Sequence, residues 1–588
     1  MKPLKYLVIL NYLLLFLSHA ARAEDAAESK QRINILFLFT DDQRWDTIGA
    51  LGNPEVKTPV IDKLVETGFT FTNAYCQGSW SGAVCLPSRT MVMMGQSVWR
   101  IRKKETRTLL PQAFTNAGYI TFRSGKGGNT CRAANKLFDF NTNSGDNRHS
   151  NSSQEHADRA IKFLQEHKGD KPFYMHLAFD KPHDPRRAPP NYMKMYDPEK
   201  ISLPPNFLSR HPFDNGELYV RDENLAPFPR TPEVMRKHIA DYYACCSDLD
   251  NQIGRILETV KKRGFADNTM VIFSSDHGLA VGGQHGLMGK QNLYECNKPP
   301  LIISGPGIPK GKSDAFVYLY DLYPTFCEMA GIEIPASVEG KSILPVIRGK
   351  QEKIRDYVYG AYKNSQRMVR DGRWKLMKYN AGGKKNVQLF DLETDPHEIE
   401  NLAEEPAAAE HRTRLEALLV KAMKEFGDPV DFERAGGPAS AKNTRRKRGR
   451  PGKPGKPIRP RKDGSFVLKP EFAKTTGSLR YQSDRQNLGA WKRAEDSAAF
   501  TLEGIRTGKY LVLFSYGTSR GGQGYVIEAG PARITGKTEA TGGIKNYKEY
   551  EIGMLDLSGA KATLTIRPVG KLQSALMNYR IMKLVPVP

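Results

Sequence analysis

The sequence predicts an α/β protein: a mostly parallel sheet covered by helices, then a smaller α+β subdomain, then a linked β-sandwich. Three observations carry this reading. From residue 33 to about 350, short continuous apolar runs alternate with helix-like stretches. Residues 434–465 are dominated by Gly, Pro, Lys and Arg, a composition that builds no packed core. Beyond them, short strand-like segments recur with turn residues between.

The apolar runs are Ile33–Phe39, Tyr119–Phe122, Phe173–Phe179 and Met270–Phe273. Continuous rather than alternating apolar character fits strands buried on both faces, as in a helix-covered parallel sheet. Ile239–Lys262 carries apolar residues at helical spacing. The region 24–350 is therefore read as the α/β domain, and 351–433 as the subdomain. In the latter, Met368–Leu376 reads as a hairpin turning at Asp371-Gly372, and a helix is expected from about Ala407 to Phe426. In the last unit, 466–588, Tyr510–Phe514 and Ala562–Ile566 read as strands. The second alternates polar and apolar residues, as a half-buried antiparallel strand does.

The first 23 residues read as a signal peptide. Lys2 and Lys5 precede an apolar run from Tyr6 to Leu17, and Ala21-Arg22-Ala23 has the small-x-small pattern of a cleavage site. The run is too short for a comfortable membrane span. The expected product is exported, periplasmic or secreted, with no stable membrane span.

Seven cysteines among 588 residues do not make a disulfide scaffold, and the odd count leaves at least one outside intramolecular pairing. The formal net charge is +24, and eleven of the positive residues lie in the acid-free run Lys442–Lys462. An exported basic protein has acidic polymers such as sulfated glycans as partners. Arg448-Gly449-Arg450-Pro451 has the form of a minor-groove hook, but export argues against a specific nucleic-acid partner, and a solvated tether is the expected role.

Each apolar run ends in a polar cluster: Thr40-Asp41-Asp42, Gly125-Lys126, Lys181-Pro182-His183 and Ser275-Asp276-His277-Gly278. In an open α/β sheet, ligands bind beyond the carboxyl ends of the strands, so parallel strands would bring all four clusters to one edge. Asp41, Asp42 and Asp276 would place three carboxylates there, and a hard cation should sit among them. Helix capping is the competing role for Asp41-Asp42. Cys85-Leu86-Pro87-Ser88-Arg89 precedes an expected helix whose amino end favours anions.

Cys85-x-Pro87-Ser88-Arg89 followed by Met94-Gly95 closely resembles the signature of the type I sulfatases, whose usual ending is Thr-Gly. The resemblance runs through most of residues 33–430. It includes Asp41-Asp42, Gly125-Lys126, Pro182-His183, Asp276-His277-Gly278, Gly289-Lys290, Asp321–Thr325 and Leu389–Leu392. It implies an alkaline-phosphatase-like fold and hydrolysis of a sulfuric ester in a sulfated sugar or polysaccharide. It implies conversion of Cys85 to formylglycine by a formylglycine-generating or sulfatase-maturing enzyme, with the hydrated residue as nucleophile. It implies Ca²⁺, in preference to Mg²⁺, held by Asp41, Asp42, Asp276, His277 and the modified Cys85. Arg89, Lys126 and Lys290 would bind the sulfate or the diol, and His183 would be the acid for the leaving oxygen.

One position departs from that pattern. The family usually has a histidine two residues after the lysine matching Lys126, and here Gly128 stands there. His285 is the candidate substitute base, with a substrate contact or a structural histidine as its other readings. A phosphatase or phosphonate hydrolase of the same superfamily, and a catalytically impaired glycan-binding relative, are the alternatives. The last unit resembles galactose-binding-like sandwich domains in Asn487–Trp491, Gly508–Tyr510 and Met577–Arg580, with Trp491, Tyr547 and Tyr550 as candidate sugar-stacking rings or, as aromatics of a sandwich more often are, core residues.

Overall fold

The computed structural model describes residues 32–588 apart from 104, 144–150, 435, 441–454, 462, 483–486, 490, 545, 571, 574 and 588. The expected signal peptide and the centre of the basic linker lie outside the described residues. The chain divides into two compact units, Met1–Asn443 and Thr444–Pro588.

In the first unit the strands are β1 (Asn34–Asp41), β2 (Phe69–Phe71), β3 (Ala74–Tyr75), β4 (Gly78–Ser79), β5 (Ile120–Gly125), β6 (Phe140–Asn143), β7 (Phe173–Pro182), β8 (Thr269–Ser275), β9 (Leu301–Ser304), β10 (Gly311–Ser313), β11 (Val317–Tyr318), β12 (Val358–Tyr362), β13 (Gln366–Asp371), β14 (Trp374–Ala381) and β15 (Lys384–Asp391). Eight form the main sheet, in the order β10-β2-β9-β8-β1-β7-β5-β6. The five strands from β8 to β6 are parallel, as their unbroken apolar character predicts. Beyond β8 the sheet is mixed, because β9 runs antiparallel to both β8 and β2.

Burial explains the apolar runs. Ile35, Phe37 and Phe39 of β1 face one core, while Leu36 and Leu38 face another, so successive residues are buried on opposite sides of the sheet. The second core is closed by Leu249, Ile253 and Ile256 of the Pro232–Lys262 helix and by Phe163 and Leu164 of the Ser152–Glu166 helix. The long helix starts seven residues before Ile239. Pro232 occupies its first turn, and the Thr231 side chain accepts a hydrogen bond from the Val234 N–H.

Residues 351–433 do not stand apart from the α/β domain. Strands β12 to β15 form an antiparallel sheet whose far edge continues into β4, and Tyr359, Met368, Leu376 and Leu389 share a core with Phe37 and Phe39. The expected hairpin is present as β13–β14, but Asp371 pairs with Trp374, so the turn is Gly372-Arg373. Gly372 is left-handed with φ 83°, which a two-residue turn with glycine first requires. The expected final helix is Ala409–Glu425.

The tether is shorter than its composition suggests. At its start Gly437 bridges Ala381 in parallel, and Ser440 accepts from the Leu218 N–H through Oγ at 2.7 Å. At its end Ile458 bridges Leu502. Docking at both ends overrides composition: Gly437 and Ile458 pair their main chain with strands, and Ser440 is held through its hydroxyl.

The second unit is a β-sandwich of two antiparallel sheets. One has strands Arg480–Gln482, Asn487–Gly489, Asn578–Pro586, Gly508–Gly517 and Lys548–Leu557 in that order, with Phe466–Leu468 also paired to Asn578–Pro586. The other runs Lys474–Thr476, Ser497–Glu503, Lys561–Val569, Gly524–Ala529 and Ala532–Lys537. Trp491 is fully buried between them and its Nε1–H donates to the Leu488 carbonyl, so it is a core residue and no sugar platform. Tyr547 and Tyr550 remain half-buried. Among the described residues, no helix is long and apolar enough to cross a membrane.

Gly125 shows how tightly the strand ends meet. A Cβ there would sit 2.1 Å from the Ala178 carbonyl oxygen on the neighbouring strand. Gly125→Ala should cost about 2–3 kcal/mol, read as a lower urea midpoint at unchanged slope.

Candidate active site

The strand register delivers the site. Thr40 lies opposite Ser275, Asp41 opposite Pro182, and Gly125 opposite Ala178. Each strand runs two or three residues past its apolar stretch, so the polar clusters stand at the carboxyl ends themselves. Asp41, Asp42, Lys126, His183, Asp276 and His277 therefore share one edge, as the alternation of runs and clusters predicts.

The Cys85–Met94 helix starts at that edge, with Cys85 as its first residue. The Cys85 thiol lies 3.4 Å from Asp41 Oδ1, 3.4 Å from His277 Nε2 and 3.3 Å from Lys290 Nζ. Burial pushes the thiol well above its ordinary pKa, and Asp41 adds to the rise. As an unmodified residue Cys85 is thus a poor thiolate.

Three carboxylates face three cations in this interior. Arg89 donates from Nε to Asp276 Oδ2 at 2.9 Å and lies 3.7 Å from Asp41. Lys126 pairs with Asp41, and Lys290 reaches both oxygens of Asp42 at 2.8 and 2.9 Å. All six side chains are buried. Burial alone would raise the Asp41 and Asp42 carboxyls; Lys126 at the first, Lys290 at the second and His183 at both outweigh it and hold them ionised. Burial likewise opposes charge on Lys290, and Asp42 restores it.

Outer residues fix these groups. Asp42 is left-handed with φ 68°; its N–H donates to Asp276 Oδ1, and its carbonyl accepts from the Tyr242 hydroxyl. The loop carrying Lys290 is held by buried Glu223, which accepts from the N–H groups of Met288 and Gly289 and pairs with Arg230 at 2.7 Å. His277 Nδ1 faces the Gly278 carbonyl at 2.8 Å, an acceptor only, so this nitrogen carries the hydrogen and Nε2 offers its lone pair toward Cys85. By the same argument His183 donates from Nδ1 to the Asp184 carbonyl at 2.6 Å, and its Nε2 lies 3.8 Å from Asp42.

Two overlapping donor sets meet the demands of a metal: Asp41, Asp42, Cys85 and His183, and Asp42, Cys85, Asp276 and His277, each with ligand atoms within 4.8 Å of one another. Carboxylate oxygens with one imidazole suit a hard divalent ion. Charge fits as well. The three carboxylates and three cations cancel, so a divalent ion leaves the site net positive toward an anionic ester.

A cleft of about 800 Å³ opens onto Cys85, Lys126, His183 and Lys290. Arg132, Arg221, Asp222 and Lys363 are also in its walls, none of which sequence reasoning singled out. Asp222 lies 3.9 Å from Lys290 Nζ and binds Arg221, and these two cations hold its carboxyl far below the usual range despite burial. They sit in irregular chain, where no periodicity marks a position.

His285 does not join the cluster. It is absent from the cleft wall, donates from Nε2 to the Glu398 carbonyl at 2.7 Å, and packs against Tyr294 and Phe390. The left-handed backbone at Gln284 and His285 turns the ring away into that aromatic cluster. Of the three readings of His285, these contacts fit the structural histidine. Gly128 does line the cleft, and a Cβ there would meet nothing within 4 Å.

This combination of a mixed α/β sheet with a buried cysteine, acidic cluster and lysine pair at its carboxyl edge defines a metal-assisted ester hydrolase. The family models narrow the class. The Sulfatase model matches residues 33–332, and the model for the C-terminal part of N-sulphoglucosamine sulphohydrolase matches 283–425. The chain belongs to the sulfatase family and is a sulfatase. A sulfatase of Formosa agariphila is 27% identical over 448 residues, covering 66% of this chain and 86% of that protein. An N-acetylglucosamine-6-O-sulfatase of Bacteroides thetaiotaomicron is 25% identical over 508 residues, covering 70% and 90%. A solved structure in complex with its substrate D-glucosamine-2-N,6-O-disulfate superposes with TM-score 0.59 at 21% identity, over 69% of this chain and all of that one. The fold is thus the alkaline-phosphatase-like sulfatase fold.

Two outcomes follow from this geometry. Arg89→Met strands Asp276 in the interior and should cost about 3–5 kcal/mol, read by urea denaturation. His285→Ala should lower stability by about 1–3 kcal/mol through loss of a buried hydrogen bond, while kcat of the folded protein stays within about twofold, since His285 touches no reacting group.

Proposed function

We propose that this chain is an exported, formylglycine-dependent sulfatase that removes sulfate from a sulfated sugar, with Ca²⁺ as its metal. The observation that carries the reading is the position of Cys85: first residue of a buried helix, with its sulfur within 3.4 Å of Asp41, His277 and Lys290. A cysteine so buried and so poor as a thiolate gains chemistry when a maturation enzyme, which supplies the oxidant, oxidises its Cβ to an aldehyde and the C–S bond breaks with loss of the sulfur as sulfide. Bound together, the formylglycine hydrate and the metal would supply a nucleophilic hydroxyl and Lewis acidity. Asp41, Asp42, Asp276 and His277 would hold the metal, with the converted Cys85 completing the set.

The remaining work falls to residues of the chain. Arg89, Lys126 and Lys290 offset the charge on the sulfate oxygens from fixed positions, which costs no reorganisation during the reaction. His183, oriented by Asp184, presents Nε2 to the cleft and in its protonated form gives a proton to the departing sugar oxygen. Asp222 and Arg221 extend the polar wall toward the sugar. The names of the relatives support a sulfated hexosamine among the substrates, and the cleft's size and its cations Arg132, Arg221 and Lys363 suit an anionic saccharide. The signature around Cys85 favours this reading over a phosphatase or phosphonate hydrolase.

Sulfate release from a panel of sulfated monosaccharides and oligosaccharides, measured by ion chromatography, tests the proposal. It should exceed phosphate release from matched phosphate esters, and the reverse order would favour the phosphatase reading. Cys85→Ser made in an aerobic host should abolish turnover. Gly128→His places an imidazole in open space beside Lys126 and should raise kcat by about tenfold or more if a base is what the cleft lacks; an unchanged kcat would mean that proton removal is already served. Calcium at a hundredfold its Kd should add about 2.7 kcal/mol to the stability of the metal-free protein, and nothing to that of Asp41→Asn.

A further inference from the structure

The wall of the catalytic cleft holds a charged pair that no step of the chemistry uses. Glu217 and Lys363 both line it, and Lys363 Nζ pairs with the Glu217 carboxylate. Glu217 is buried, while the Lys363 side chain keeps 34% of its surface exposed.

A short run of contacts joins this pair to the sulfate-binding groups. Asp222 Oδ2 lies 3.9 Å from Lys290 Nζ and accepts from Gln291 Nε2 at 2.9 Å. Gln291 Nε2 also donates to the Gly82 carbonyl at 3.2 Å. A Cβ on Gly82 would sit 3.6 Å from Lys363 Nζ. Gly82 is itself exposed in the cleft wall, so the space in front of the Lys363 ammonium is open to the cleft.

The backbone holds this placement at a conformational cost. Lys363 is the first residue of the three-residue turn from β12 to β13, and its backbone is left-handed at φ 44°. Its N–H donates to the Ser79 carbonyl at 2.7 Å, and its Nζ lies 5.5 Å from the centre of the Tyr362 ring. Glu217 is fixed from its own loop, where its N–H donates to Asn215 Oδ1 at 2.9 Å. Both groups are in position before a ligand arrives, which lowers the cost of ordering them on binding.

The chemistry of the pair selects the ligand. A carboxylate that accepts stands beside an ammonium that donates, and a hydroxyl does both. So close to Lys290, the part of a substrate within reach is the ring that carries the scissile ester. We propose that Glu217 and Lys363 are specificity-determining residues that read unsubstituted hydroxyls on that ring. This role rests on the cleft being a sulfatase site for sulfated sugars, and it narrows the substrate class. The sugar must present a free hydroxyl to the pair, because a second sulfate there would be set against the Glu217 carboxylate.

The test compares kcat/KM for 4-nitrophenyl sulfate, which has no hydroxyl to read, with kcat/KM for N-acetylglucosamine 6-sulfate and galactose 6-sulfate. The full-length enzyme should hydrolyse the aryl ester and at least one of the sugars. Glu217→Gln and Lys363→Met should each lower kcat/KM for that sugar by about tenfold or more, mainly through KM, and leave the aryl ester within about twofold. Turnover of the aryl ester reports that each variant is folded with its chemistry intact. An equal fall for both kinds of ester would make the pair merely structural, and an unchanged sugar would mean that it reads nothing; either result overturns the proposal while the sulfatase reading stands. Failure of the unmutated enzyme on every one of these esters overturns both.

Discussion

The structure turns on three carboxylates that cannot be buried together without compensation. Asp41, Asp42 and Asp276 lie at the ends of adjacent strands or just beyond them, and each is out of contact with solvent. Desolvation alone would raise the Asp41 and Asp42 carboxyls toward protonation. Lys126 and Lys290 prevent that and Arg89 pairs with Asp276, each cation arriving from a different part of the chain: the residue after β5, the loop after β8, and the Cys85–Met94 helix. The fold is the device that brings them to one place. The parallel register of β8, β1, β7 and β5 levels the strand ends, and Glu223 with Arg230 ties down the loop bearing Lys290.

From that balance the chemistry follows. Equal numbers of buried anions and cations leave the edge neutral, so a divalent ion makes it positive where the cleft opens. The helix amino terminus at Cys85 adds to the same sign.

Much of this was legible in the sequence because burial leaves a mark there. Strands covered on both faces need unbroken apolar runs, and Ile35–Phe39 or Phe173–Phe179 show them. Where each run stops, the residues that stop it are the site, so Asp41, Lys126, His183 and Asp276 could be named before any coordinates. Strand β9 and the antiparallel turn of the sheet beyond β8 carried no comparable signal, since direction leaves no trace in composition. Asp222 and Arg221 were hidden because irregular chain has no period, and Glu223 because it opens a helical turn of three residues, Glu223–Leu225, too short to show one; only the packing of that segment brings them to the Lys290 loop. His285 is the opposite case. Its residue type suited catalysis, but the left-handed backbone at Gln284 and His285 sends the ring into Tyr294 and Phe390. Trp491 likewise had the right chemistry for stacking on sugar and a fully buried position.

The central claim is that the buried charge balance exists to serve an oxidised Cys85. The mass of the tryptic peptide Leu64–Arg89, from protein made in a host with a sulfatase-maturation system, tests it most directly. The account predicts the peptide at its formylglycine mass, with Cys76 unaltered in the same peptide. Unmodified cysteine at position 85 from such a host, in a protein that still releases sulfate, would contradict it.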